Sequence, residues 1–509
     1  ITHRVVASGN WSDPATWSTG TVPGDGAVVS LTPGMRTTYD AFSDVILKDM
    51  LVPFGATFEL ATWTRTRIRL DYWMTMGVVN LTDTREADAP GPKHEIIFHA
   101  SETPGATTRL GAMFMGPTRI RGAQKAGHRR LAPKMGQSIP SAAAGDTTLH
   151  VQNMGGSNWR VGDTIVILGT EYVQPVSSDP HYAGPTTYYG YGRGRRQHQL
   201  DSYQFGQDEE RTITAIDGDV VTLNAPLQYT HTGMAGTLKD GKAIMVAPVV
   251  ANVSRSIRFR SASAEEDGAL DPNADITDLQ KRAHTMFHRC PDLDVRYFET
   301  KNMSRTSTDP TLFVGGLPYQ IEMAGGSVTI PPLTDVPDGA PIADPVNVRG
   351  RYAVHFHWCG GPYAAAPLTV CKGVSVWAPV GGHPIPGWAM THHGSRVSME
   401  DCVISNVRGA GMVSELGNET GQWVDNVVTG CRGDGENSYW GSRSECYTNH
   451  NGHAGVAYDN QSRAIRMHGN IAGSSRFAYL WHHQKSTRQA RLVRAEDIPL
   501  FDGIQIGRA

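Results

Sequence analysis

Short apolar runs broken by glycine and proline fill the N-terminal part of the chain. Five of these runs are rich in β-branched or aromatic side chains, and they cover residues 27–31, 44–48, 57–60, 68–72 and 95–98. Such residues fit a pleated surface, so short runs with turn residues between them are typical of strands. The pattern predicts an N-terminal β domain over residues 1–136, built as a sandwich, a barrel or a β-helix cap.

A second β-rich segment is predicted over residues 137–250. Its clearest strand patterns cover 159–167, 210–216 and 220–223. Between the first two lies an insertion over 172–207 that is rich in tyrosine, glycine and arginine. A loop of that length within a compact domain is usually functional or disordered.

The last third of the chain contains a repeat. Similar segments occur at 401–409, 425–433, 445–452 and 467–473, and their starts follow one another at nearly constant intervals. Each combines a short β-run with a small or asparagine residue and a glycine, as in stacked solenoid coils. Leucine-rich repeats share the period but need a leucine ladder, which is absent. The repeat therefore predicts an all-β protein with a parallel β-helix over 251–509.

Composition narrows the class of protein. Of 509 residues, 39% are hydrophobic and 19% are charged, with a net charge of −3, which argues against a disordered polyelectrolyte or a nucleic-acid binder. No apolar stretch approaches the roughly 18 residues of a membrane helix. The start at Ile1 fits a removed signal peptide, so we expect a secreted protein, with a monomer favoured. The six cysteines form no C-x-x-C pair, which leaves disulfides and buried free thiols both open.

Histidines suggest a metal site. In Val354-His-Phe-His357, strand alternation places His355 and His357 on one face, about 7 Å apart at their Cα atoms. His393 fits one rung beyond His357, and Glu415 follows His393 by the interval of one further rung. Histidine and carboxylate ligands favour zinc or another transition metal over calcium, so a divalent metal is the expected cofactor. The alternative is a hydrogen-bonded polar stack.

Two carboxylates near this cluster are candidates for catalysis. Glycoside hydrolases use a pair of carboxyl groups, and Glu415 with Glu419 supplies one. A lyase would need a base such as Tyr439 or His450, and an oxidative enzyme would use a redox metal at the histidines. Hydrolysis is preferred, and both alternatives stay open.

The insertion offers candidate substrate-binding side chains. Aromatic faces suit sugar rings, and arginine binds carboxylate groups with two parallel hydrogen bonds. The candidates are Tyr189, Tyr191, Arg193, Arg195 and Arg196. The alternative is a surface loop without a binding role.

Several motifs resemble those of the eight-glycine-domain family. They include Gly9-Asn-Trp-Ser-Asp-Pro-Ala-Thr-Trp17 and Val22-Pro-Gly-Asp-Gly-Ala-Val-Val29 near the start, then Trp159-x-Val-Gly-Asp163. Gly350-Arg-Tyr-x-Val-His-Phe-His357, a His-Gly pair at His393 and a Glu-x-Gly-x-Glu pattern from Glu415 follow in order. The family includes the cell-migration-inducing and transmembrane hyaluronidases and fibrocystin.

This resemblance implies a right-handed parallel β-helix with an eight-glycine domain packed on it. It also implies a secreted or surface protein that attacks a polysaccharide such as hyaluronan. Together with the residues, it predicts a secreted, divalent-metal-dependent, hyaluronidase-like enzyme that depolymerises an acidic glycan. The competing hypothesis is a non-catalytic carbohydrate-binding or adhesion ectodomain, as the resemblance to fibrocystin allows.

Overall fold

The structure is a computed structural model that describes residues 1–101, 109–171, 206–271, 274–276, 281–306, 350–360, 368–432, 455–475 and 477–481. Within these ranges the helices are short, α1 at Ala264–Asp267 and a 3-10 turn at Pro14–Thr16. Across the same ranges, no helix combines the length and apolarity that crossing a membrane requires. All other regular structure in them is β.

Three stacks of parallel strands form a solenoid, in which a full rung contributes a strand to each stack. The first stack is β1 (His3–Arg4), β3 (Val28–Ser30), β5 (Phe42–Val52), β7 (Thr66–Thr75), β10 (Gly111–Phe114), β23 (Thr285–His288), β26 (Val354–His357), β29 (Met390–His393), β32 (Met412–Ser414), β35 (Val456–Asn460) and β38 (Phe477–Trp481). The second is β2 (Gly9–Asn10), β4 (Arg36–Tyr39), β6 (Thr57–Leu60), β8 (Val78–Thr82), β11 (Thr118–Arg121), β24 (Leu293–Arg296), β27 (Thr369–Lys372), β30 (Arg396–Glu400), β33 (Thr420–Val424) and β36 (Ala464–His468). The third is β9 (His94–Phe98), β22 (Ile257–Ser261), β25 (Phe298–Lys301), β28 (Ser375–Trp377), β31 (Val403–Val407), β34 (Val427–Cys431) and β37 (Ile471–Gly473).

A six-stranded antiparallel sheet interrupts the solenoid. Its strands, in spatial order, are β12 (His128–Arg130), β21 (Val249–Asn252), β15 (Thr164–Ile167), β16 (Glu209–Asp217), β17 (Val220–Leu223) and β14 (Thr148–His150). Two further antiparallel pairs are β13 (Ser141–Ala142) with β18 (His231–Thr232), and β19 (Met234–Thr237) with β20 (Ala243–Val246). The chain leaves the solenoid after β11 and returns at β22.

The prediction of an all-β parallel β-helix is confirmed. The N-terminal β segment, expected as a sandwich, a barrel or a β-helix cap over 1–136, joins the solenoid directly, because β10 pairs with both β7 and β23, and β11 pairs with both β8 and β24. Residues 3–121 therefore form the first rungs of the same solenoid. The antiparallel sheet runs from His128 to Asn252, so it begins before the connecting segment expected over 137–250 and ends two residues beyond it.

One predicted rung lies outside the described residues. The repeat in the sequence predicts it at 445–452. Among the described strands, β33 pairs directly with β36, and β34 pairs directly with β37. The segments at 425–433 and 467–473 therefore contribute neighbouring strands to the third stack.

Side chains stack along the interior because the register is parallel. Phe114 pairs with Phe287, and Phe287 pairs with Phe356. Their rings stack with centroids 5.3 and 5.4 Å apart.

The described cysteines are buried free thiols, which is one of the two states that the sequence left open. Among them, Cys371 and Cys402 have Sγ atoms 3.9 Å apart.

The aromatic stack predicts the effect of truncating Phe287, which lies fully buried between two rings. We expect Phe287→Ala to lower the free energy of unfolding by about 3–5 kcal/mol, because the cavity has no side chain to fill it. Phe54→Ala is the control, since Phe54 is 81% exposed. Urea unfolding followed by far-UV circular dichroism measures both changes. Equal loss of stability in the two variants would contradict the stacked-core interpretation.

Candidate metal centre

A ladder of histidines runs along the outer surface of the first stack. Phe356 points into the core, so its neighbours His355 and His357 point outward. In the strand register, His288 pairs with His357, and His357 pairs with His393. Glu415 follows directly after β32, and its N–H donates to the carbonyl oxygen of His392. The predicted one-rung steps from His357 to His393 and on to Glu415 therefore agree with the structure.

His355, His393 and Glu415 form a tight group of possible ligands. Their side chains can each offer one ligand atom, with all three atoms within 4.8 Å of one another. Among the described residues, no other group of three or more histidine, cysteine, aspartate or glutamate side chains brings its possible ligand atoms this close together. The structure thus brings together three of the four residues that the sequence assigned to the metal.

His355 is held in one orientation. Its ring is buried, and Nδ1 lies 2.9 Å from the carbonyl oxygen of Gly350, to which it can only donate. The Nε2 atom is also buried and has no hydrogen-bond partner among the described residues. Burial, followed by the charge of His393, holds the pKa of His355 well below its ordinary value. His355 is therefore neutral, with an unpaired Nε2 lone pair, as a metal ligand requires.

His393 and Glu415 form a close pair. Nδ1 of His393 lies 2.5 Å from Oε2 of Glu415, and both side chains are partly exposed. Burial disfavours the imidazolium, but the carboxylate of Glu415 outweighs it and raises the pKa of His393. Two arrangements around a metal ion could use this pair: His393 as a ligand that Glu415 orients, or both side chains as ligands of one ion.

His357 stands beside this group and faces His288. The two Nδ1 atoms are 2.7 Å apart, and the rings stack with centroids separated by 4.8 Å. The ring of His357 also lies 4.5 Å from that of His393. Burial and the neighbouring His393 lower the pKa of His357 to about 3. The metal role predicted for His357 stays a prediction, since its Nδ1 is directed to His288.

His288 is a member of the ladder that the sequence analysis missed. A usable signal was present, because the Phe-His pair at 287–288 recurs at 356–357. Aligning these pairs would have placed His288 and His357 on adjacent rungs. The two lie 69 residues apart, so the rung period alone could not connect them.

Glu419 occupies a different environment from the partly exposed Glu415. It is fully buried. Its Oε1 accepts the backbone N–H groups of Gly394 and Leu416, and its Oε2 accepts that of Gly417. Burial raises its pKa more than these bonds lower it. Both oxygens are thus engaged in fastening the loop after β32, and the catalytic role predicted for Glu419 stays untested.

The predicted substrate-binding residues lie outside the described residues. They are Tyr189, Tyr191, Arg193, Arg195 and Arg196, within the undescribed stretch 172–205. The lyase candidates Tyr439 and His450 also fall outside the described ranges.

Sequence comparisons find similarity to a large protein. Fibrocystin-L of Mus musculus is 27% identical over 262 residues, which cover 50% of this chain and 5% of that protein. Fibrocystin-L of Homo sapiens is 30% identical over 128 residues, which cover 25% of this chain and 2% of that protein. The chain therefore spans only a small part of these relatives, and the similarity agrees with the resemblance to fibrocystin. No protein-family profile matches the chain.

Among solved structures, phage tailspikes are similar at low identity. Gp54 of Acinetobacter baumannii bacteriophage AP22, solved with capsular saccharide, is 9% identical with a TM-score of 0.18, covering 92% of this chain and 58% of that one. Gp49 of Pseudomonas phage LKA1 is 9% identical with a TM-score of 0.16, covering 85% and 55%. With TM-scores this low, the fold assignment rests on the strand pairing described above.

The three bonds to Glu419 predict a structural role that substitution can reveal. In Glu419→Gln, the amide nitrogen would face either the Gly417 N–H or the Gly394 and Leu416 N–H groups, leaving buried donors without an acceptor. We expect a loss of about 1–3 kcal/mol in the free energy of unfolding. Glu265→Gln is the control, because the Glu265 side chain is exposed. Unchanged urea midpoints in Glu419→Gln would contradict the fastening role.

Proposed function

We propose that this chain is an extracellular, divalent-metal-dependent enzyme that depolymerises an acidic polysaccharide in the manner of a hyaluronidase. The observation that carries the proposal is the group of His355, His393 and Glu415, with ligand atoms within 4.8 Å on the outer face of the solenoid. The motif resemblance to eight-glycine-domain hyaluronidases and the similarity to Fibrocystin-L support it. The motif resemblance and the similarity to Fibrocystin-L both agree with an ectodomain function.

The residues of this group fit a transition metal. Two imidazoles and one carboxylate are a donor set typical of zinc and other divalent transition metals, whereas calcium prefers oxygen ligands throughout. The buried Nε2 of His355 has no partner among the described residues, and burial of a polar atom without a partner costs free energy that a bound ion would offset. A bound ion of this type would supply Lewis acidity and lower the pKa of a bound water.

The chain's own residues would orient and handle protons at this site. The carbonyl of Gly350 fixes the His355 ring. The Glu415 carboxylate accepts the Nδ1 proton of His393 and remains partly exposed, so a sugar chain can approach it. Because both oxygens of Glu419 are engaged by backbone N–H groups, Glu415 is the carboxylate that serves this site in the proposal, either as a metal ligand or as the acid–base group.

Removal of a ligand tests the metal site. We expect His355→Ala and His393→Ala each to bind well below one equivalent of zinc while the far-UV spectrum is unchanged, because ligand loss lowers affinity and the solenoid is stabilised by many rungs. Metal content after dialysis is the measurement. His150→Ala, on β14 in the antiparallel sheet, is the control and should retain the metal. Full occupancy in both ligand variants would reject the site.

Activity on defined polymers tests the reaction. We expect viscosity loss on at least one of hyaluronan, chondroitin, alginate and pectin, and its disappearance after EDTA treatment. New reducing ends without an ultraviolet-absorbing unsaturated product would indicate hydrolysis, whereas the unsaturated product would indicate a lyase. Metal binding and glycan binding without cleavage would favour the adhesion ectodomain.

Glu415→Gln tests the proton-handling role. The amide keeps the size of the carboxyl group but cannot carry its charge or transfer its proton. We therefore expect turnover to fall by roughly two orders of magnitude. Steady-state kinetics on the cleaved polymer provides the measurement, with Glu59→Gln, on β6, as the control. Unaltered turnover in Glu415→Gln would make Glu415 a structural residue.

A further inference from the structure

Three residues occupy equivalent positions on successive rungs, each directly after a strand that carries the histidine ladder. Arg289, Trp358 and Gly394 each follow the last residue of a first-stack strand, with φ values of 52°, 59° and 54°. The N–H of Arg289 donates to the carbonyl of His357, and that of Trp358 donates to the carbonyl of His393, both at 2.9 Å. The Arg289 and Trp358 side chains therefore leave the backbone at equivalent points, directly beside the histidine ladder.

Trp358 presents an aromatic side chain next to His393, one of the three possible metal ligands. It is half-buried, and its ring lies 6.0 Å from the ring of His393 and 6.1 Å from that of His357. Gly394 leaves room for the indole to pack closely, because a Cβ atom there would lie 3.3 Å from the indole carbons, closer than most Cβ contacts. The indole thus packs against the backbone of the next rung and keeps part of its surface accessible.

Arg289 supplies an exposed positive charge one rung away. Among the described residues, no carboxylate lies within ion-pair distance of it, and its side chain is exposed. After burial, its charge is a cause of the lowered pKa of His288, and it also acts on His357. A second metal ion beside His288 and His357 would be repelled by this charge. The same charge attracts an anion.

We propose that Arg289 and Trp358 form a subsite for an acidic sugar unit of the substrate, with the indole packing against the ring and the guanidinium pairing with its carboxylate. The inference rests on the proposed function and deepens it. Arginine provides two parallel donors that match a carboxylate. From β23, before Arg289, to β32, before Glu415, there are three strand spacings, or about 14 Å. A glycan along the ladder would thus place its carboxylate at the Arg289 end and a neighbouring linkage at the metal group.

Binding measurements with charged and uncharged ligands test the subsite. The probes are oligosaccharides of hyaluronan, chondroitin and alginate, each in native and carboxyl-reduced form, titrated calorimetrically into the full chain. We expect Arg289→Gln to weaken binding of the preferred native ligand about tenfold and to leave the reduced form unchanged. Arg289→Lys should recover only part of the loss, since it keeps the charge without the paired donors. Arg466→Gln, an exposed arginine on β36, is the matched control.

A test of Trp358 needs a replacement residue that can adopt the left-handed backbone conformation at this position. Trp358→Asn removes the indole, and asparagine accepts a left-handed conformation more readily than most residues. We expect about tenfold weaker binding of both native and reduced ligands, because ring packing does not depend on the carboxylate. Trp63→Asn is the control, since Trp63 is 65% exposed and lies elsewhere on the solenoid.

The outcomes separate this inference from the proposed function. Equal binding of native and reduced ligands, or unchanged affinity in Arg289→Gln, overturns the subsite, even if the metal and cleavage are present. No binding of any native probe by the unaltered protein overturns it as well. A charge-dependent affinity that Arg289→Gln abolishes supports the subsite, even if the protein binds no metal and cleaves nothing.

Discussion

Parallel stacking in register is the constraint on which this structure depends. Each strand lies about 4.8 Å from the next, so a residue type repeated at one rung position becomes a continuous column. Inside the solenoid the column of Phe114, Phe287 and Phe356 fills the core. Outside it, the same register aligns His288, His357 and His393. Core and candidate site are therefore two sides of the same strands, which fixes the histidine positions with the rigidity of the core.

Electrostatics vary along that histidine column. At one end, burial and then the charge of Arg289 lower the pKa of His288. At the other end, Glu415 favours protonation of His393. Between them, His355 is buried and neutral. Chemically similar side chains thus acquire different protonation behaviour from their rung.

Loops and an inserted sheet extend from the regular stack of rungs. Glu419 ties the turn after β32 to Gly394, the residue against which Trp358 packs. The antiparallel sheet leaves the solenoid between β11 and β22 without disturbing the stack, since β9 and β22 are adjacent in the third stack. The solenoid accommodates such excursions because each rung contacts only its neighbours.

The parallel β-helix and the grouping of His355, His393 and Glu415 follow from the sequence by itself. Alternation around Phe356 and the rung-length step from His393 to Glu415 were enough to place His355, His393 and Glu415 together, because strand period and rung period are local properties of the chain. Tertiary structure decided the rest. Excursions of variable length between rungs hid His288 and concealed that residues 3–121 continue the solenoid. The burial of Glu419 was likewise not visible, since three N–H groups from the turns after two different strands converge on it only when those rungs are stacked.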